Sequence, residues 1–124
     1  MPWSKNMKLI DANVILRYLL NDNPEMAEKA KNIVENGAYT KPEIIAEVVY
    51  VLKGVYHVTR TEIRLFLQSM LNIIYCTQRA AVTYALDVYA DTSLDFVDCL
   101  LIAYHVLNKE DVFTFDAKLA KRLS

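Results

Sequence analysis

Short apolar runs alternate with longer stretches of helical spacing along this chain, and that alternation limits the folds open to it. Lys8-Leu9-Ile10 reads as a buried strand leading into Asp11. Ala38-Tyr39-Thr40 and the runs at 73–77 and 111–115 read as three further strands. The helices between them have legible ends. Asp11 or Asn13 begins one over 14–20. Asn23-Pro24 opens the next, proline suiting a first helical position, and Asn36-Gly37 closes it. Thr40-Lys41-Pro42-Glu43 and Thr59-Arg60-Thr61-Glu62 read as capping boxes for helices to about Val55 and Asn72. Residues 79–90 keep helical spacing, Thr92-Ser93 starts an apolar helix over 94–107, and Asp116 caps a last helix ending near Leu123. The pattern predicts an α/β chain with a short, mostly parallel sheet of about four strands, one connection carrying two helices.

A chain of 124 residues suits one domain, and 54% apolar residues supply its core. With two Gly and three Pro, regular elements should dominate. A formal net charge of −1 gives no general pull toward nucleic acid, so an enzyme acting on it would need local basic patches or metal ions at the phosphates. Cys76 and Cys99 lie in apolar runs with no CxxC spacing and read as small buried hydrophobes, which fits a reducing, cytoplasmic setting. No apolar run reaches the roughly 18 residues of a membrane span. The opening MPWSKNMK lacks the apolar stretch of a signal peptide. Residues 1–6 read as a disordered leader and 7–124 as a single domain.

Function is signalled by where the acids fall. Glu47 is the one charge in IIAEVVYVL, and Asp98 the one charge in FVDCLLIAYHVL. Asp11 and Asp116 each end an apolar strand. A lone buried carboxylate costs several kcal/mol unless it is paired or binds a cation. In an open α/β sheet, ligands bind beyond the carboxyl ends of the strands, where strand order reverses. That placement gathers Asp11, Glu47, Asp98 and Asp116, with Asp95 three residues before Asp98 on one helical face. Mutual repulsion among such acids is relieved by Mg²⁺ or Mn²⁺, which prefer oxygen ligands. No Cys/His cluster has zinc spacing, and His57 and His105 read as structural or surface groups. Such a centre suits phosphoryl transfer with one or two ions. Each acid also has a plainer use: Asp11 and Asp116 as helix caps, Glu47 as a solvated charge, Asp95 as a first-turn acid. Asn13 orients Asp11 or ends the strand, and Thr114 bonds in the site or suits a strand.

In order along the chain, LIDANVILRYLL, PEIIAEVVYVL, LDFVDCLLIAY and VFTFDAKLAKRL resemble the four blocks of PIN-domain proteins, especially VapC-type toxins. The resemblance implies a PIN-like three-layer α/β/α sandwich. It implies Mg²⁺ or Mn²⁺ held by Asp11, Glu47, Asp98 and Asp116, with Asn13, Asp95 and Thr114 as accessory groups. It further implies a metal-dependent endoribonuclease acting as the toxin of a type II toxin–antitoxin pair, dimeric and held inactive by a cognate antitoxin. Arg17, Lys118, Lys121 and Arg122 are candidate contacts to RNA phosphates or ordinary surface charges. Ala12 stands where the family often has Thr or Ser, and the chain stops at Ser124 where many members carry a further edge strand.

Two other classes compete. A haloacid-dehalogenase-like phosphatase needs a second Asp where Asn13 stands, and a receiver needs an acidic pair and a late strand-end Lys that are not evident. A non-catalytic PIN-like module binding RNA or protein stays open, since a full set of acids does not by itself prove cutting.

Overall fold

The computed structural model describes residues 6–124. Three strands, β1 (Lys8–Leu9), β2 (Ala38–Thr40) and β3 (Tyr75–Cys76), pair in the order β1-β2-β3, all parallel. Seven helices follow or separate them: α1 (Ala12–Leu20), α2 (Pro24–Glu35), α3 (Pro42–Gly54), α4 (Arg60–Met70), α5 (Arg79–Asp91), α6 (Phe96–Asn108) and α7 (Ala117–Leu123). The architecture is the expected α/β one, and the leader expected over 1–6 lies, apart from Asn6, outside the described residues.

Local chemistry explains most helix ends. Asp11 caps α1 by accepting from Val14 N, and Asn23 caps α2 from Met26 N with Pro24 in the first turn. Gly37, at φ +101, turns the chain from α2 into β2, a conformation a side chain would strain. Thr59 and Glu62 form a complete capping box on α4. The box expected at Thr40 does not form. Proline at position 42 forces the preceding residue to be extended, so Lys41 becomes the cap residue without a side-chain bond and Thr40 stays in β2.

The strands are shorter than expected, for visible reasons. Ile73 N and Ile74 N both bond to Met70 O, so the end of α4 winds on through residues expected in β3. The expected strand at 111–115 is absent among the described residues. There Asp116 N donates to Thr114 Oγ1, a side-chain turn competing with extended pairing. Phe113 and Phe115, 81% and 96% exposed, meet edge to face instead of covering a sheet. Without that strand the described sheet has no reversal of order, and both β-to-β connections carry two helices, not one.

A contiguous core runs from Ile10 to Leu119, with Ile15, Ile45, Leu52, Ile63, Leu67 and Leu86 fully buried. Burying each such side chain stabilises by about 1.5–3 kcal/mol. Helix α3 is central, packing on α1, α4 and α6, while α6 also packs on α5 and α7. Cys76 and Cys99 are buried as expected, and loss of solvation pushes their thiols up to about 12 and about 11. No helix of the described residues is long and apolar enough to cross a membrane.

Candidate active site

Parallel pairing in register gives the three strands a common carboxyl edge, marked by Ile10, Thr40 and Cys76. Helices α1 and α3 start at this edge, which sets Asp11 there and Glu47 about one turn and a half along α3. Asp11 is exposed, and its Oδ1 lies 3.1 Å from Val14 N, leaving its second oxygen uncommitted. Asn13 is exposed on the first turn of α1.

Glu47 is exposed rather than buried. Helix α3 turns Ile45, Val48, Val49 and Leu52 into the core, so the apolar run still has a wet face, and Glu43, Glu47 and Tyr50 share it. Glu43 has a role that its reading as a capping residue missed. Its charge helps push up the Cys76 thiol at the end of β3 and the Tyr104 phenol on α6, in both cases after loss of solvation.

The first turn of α6 holds the acid whose environment is most altered. Asp98 is half-buried, and its carboxyl is held above the ordinary range first by loss of solvation, then by the negative charges of Asp95 and Asp116. Asp95 occupies the N-cap position of α6 yet makes no capping bond, so its oxygens stay available. Asp116 caps α7, its Oδ1 2.9 Å from Leu119 N, and Thr114 Oγ1 fixes the turn before it.

A cleft of about 500 Å³ opens where the second half of α3 faces this turn, lined by Tyr50 and Lys53 on one side and Asp95, Val97 and Asp98 on the other. Arg60 lines it too. Its guanidinium donates to Tyr89 O at 3.0 Å and Leu94 O at 2.8 Å and lies over the Tyr89 ring, 4.1 Å from its centre. It thereby ties the end of α5 to the loop that presents Asp95. Sequence reasoning gave Arg60 no role, since its partners are about 30 residues away and no local pattern marks them. Thr40 was missed too. It is wholly buried at the carboxyl end of the middle strand, and its hydroxyl has no bonding partner among the described residues. A buried Thr at a strand end is the one signal that marks it.

The candidate phosphate contacts separate. Arg17 donates to Asp22 at 2.7 Å and to Tyr56 Oη at 3.3 Å, so it is engaged within the chain. Lys118, Lys121 and Arg122 line a basic hollow on α7 opposite Thr92 and Ser93.

A family model for the PIN domain matches residues 8–122, a span that takes in every candidate acid. The chain belongs to the PIN-domain family. PIN domains are in general metal-dependent nuclease modules. No match was found among curated proteins or among solved structures. The candidate acids offer carboxylate oxygens, the kind a hard divalent cation takes, and the like-charge field on Asp98 is of a sign that a cation would relieve. Among the described residues no three His, Cys, Asp or Glu side chains stand close enough to share one ion.

Proposed function

We propose that this PIN domain is a Mg²⁺- or Mn²⁺-dependent endoribonuclease, the cytoplasmic toxin of a type II toxin–antitoxin pair. The observation that carries the reading is Asp98, set in an open cleft with its carboxyl raised first by loss of solvation and then by the adjoining charges of Asp95 and Asp116. An uncompensated group of acids beside a cleft is unfavourable alone and favourable around a cation. Asp98 and Asp116, with Asp11 and Glu47 from the neighbouring helices, would hold one or two ions, and Asn13, Asp95 and Thr114 would support them. When bound, such an ion neutralises charge at the scissile phosphate and lowers the pKa of water. The chain's own part would be to bring carboxylate oxygens to that ion from four separate elements, since among the described residues no three of them yet stand close enough to share it. The capping bonds of Asp11 and Asp116 fix two of those carboxylates, and the Thr114 turn steadies the second. The basic hollow of Lys118, Lys121 and Arg122 offers charge to an RNA backbone. Dimerisation and control by a cognate antitoxin belong to the same reading and rest on the likeness to VapC-type toxins.

The absence of a ready-made cage among the described residues favours a second reading, a PIN-like module that binds RNA or protein without cutting. One experiment separates them. Purified protein is incubated with a mixed RNA pool in Mn²⁺, in Mg²⁺ and in chelator, beside a folded Asp98→Asn variant. Metal-dependent cutting lost in the variant supports the nuclease. No cutting in either metal, or equal cutting by the variant, leaves the binding module.

A further inference from the structure

The cleft between α3 and α6 carries two groups for which the hydrolytic chemistry has no use. Tyr50 lines it while staying 77% exposed, so a flat ring is presented to solvent. Lys53 lines it one turn further along α3, exposed and without an ion pair among the described residues. Residues three apart share a helix face, and the rise of about 1.5 Å per residue puts Tyr50 about 4.5 Å and Lys53 about 9 Å beyond Glu47 along the axis. Each step of three also turns about 60° round the axis, so acid, ring and cation climb away from the acidic end on a slanting track, with Tyr50 and Lys53 on the cleft. Across the cleft, Val97 is 55% exposed and gives an apolar wall. The Arg60 guanidinium, fixed by two carbonyls, adds positive potential that cannot swing away.

That combination has a specific chemical meaning. An exposed aromatic ring beside a cation is the arrangement on which an unstacked base and its phosphate are held. A base inside a duplex has both faces covered by its neighbours, so it cannot use such a ring. A chain of net charge −1 has no general attraction for RNA, so local contacts must set its grip.

We propose that this cleft seats one unpaired nucleotide of an RNA strand beside the scissile phosphate, its base stacked on Tyr50 and its phosphate paired with Lys53. The proposal rests on the ribonuclease reading and adds to it two nucleotide-positioning residues, Tyr50 and Lys53.

The test is anisotropy of a short dye-labelled single-stranded RNA, titrated with the full chain in chelator so that nothing is cut, with a duplex of the same sequence in parallel. Tyr50→Ala should weaken single-strand binding by about tenfold or more, Tyr50→Phe should restore it, and the duplex should not distinguish them. Lys53→Ala should lower the salt dependence of single-strand binding by about 0.7 in the log–log slope. Tyr50 is exposed, so its replacement leaves the core intact. Tyr50→Ala binding as tightly as the parent overturns the proposal. So does a parent chain that ignores the single strand, which would turn the cleft into a seat for a protein segment. Rates in Mn²⁺ separate the two ideas. Tyr50-dependent binding without metal-dependent cutting keeps the nucleotide seat and sinks the ribonuclease. Cutting with an unchanged KM in Tyr50→Ala does the reverse.

Discussion

Helices α1 and α7 begin on carboxylates that cap them, whereas α6 begins on one that does not. Asp11 and Asp116 each give an oxygen to a backbone N–H of the first turn, so each is part of the fold whatever else it does. Asp95 stands in the same kind of position, makes no such bond, and adds its charge to the field on Asp98. A cap position that forgoes its bond loses about 1 kcal/mol of helix stabilisation. The difference teaches that the candidate acids do different work: two are anchored by secondary structure, and on α6 the charge of Asp95 bears on Asp98 instead.

The comparison can be broken or sharpened at four levels. The largest effect belongs to catalysis: Asp98→Asn should lower initial rates of metal-dependent RNA cutting by about 100-fold or more, and Asp95→Asn by about tenfold. Equal losses would erase the distinction between ligand and supporting acid. Next comes the tie that presents the pair. Arg60→Leu removes two charge-assisted bonds and a ring contact, and urea unfolding should show a loss of about 2 kcal/mol. Smaller are the caps themselves. Asp11→Ala and Asp116→Ala should each cost about 1 kcal/mol, while Asp95→Ala stays within about 0.5 kcal/mol of the parent. An Asp95→Ala loss as large as the other two would show that it caps after all.

The smallest effect is a pH dependence. Asp98 takes up a proton more readily in the folded chain than its ordinary value allows, so its ionisation weakens the folded state. That penalty is complete above the raised folded pKa, shrinks as pH falls through it, and is gone below the ordinary carboxylate range. Without metal, Asp98→Asn should therefore melt slightly higher than the parent at neutral pH, and the two melting curves should converge in acid. A variant that melts lower at neutral pH would mean Asp98 is stabilised where it stands.

Features set by neighbours in sequence were legible before the structure was known: the cap at Asn23 and Pro24, the box at Thr59 and Glu62, the turn at Gly37, and the family itself. Features set by distant neighbours were not. The 111–115 run has strand-like residues, yet whether it pairs depends on an edge far away in sequence, and the Thr114 turn won. Glu47 looked buried because apolar residues surround it in sequence, but a helix can bury Ile45, Val48 and Val49 and still turn Glu47 outward. Asp98 stood out for a sounder reason, since a largely apolar helix leaves its acid little polar company. Arg60 was invisible because its significance lies wholly in what surrounds it in space, and Thr40 showed only its place at a strand end.

Strands of two or three residues also decide where the molecule resists opening. So few ladder bonds give the sheet little cooperativity of its own, and β1 is exposed along both of its residues. The amides that exchange last with deuterated solvent should therefore lie in α3, α5 and α6, whose inner faces form the core. The sheet that sets the topology would then be among the first parts to breathe, with the acid-bearing turn of α6 resting on the most persistent part of the chain.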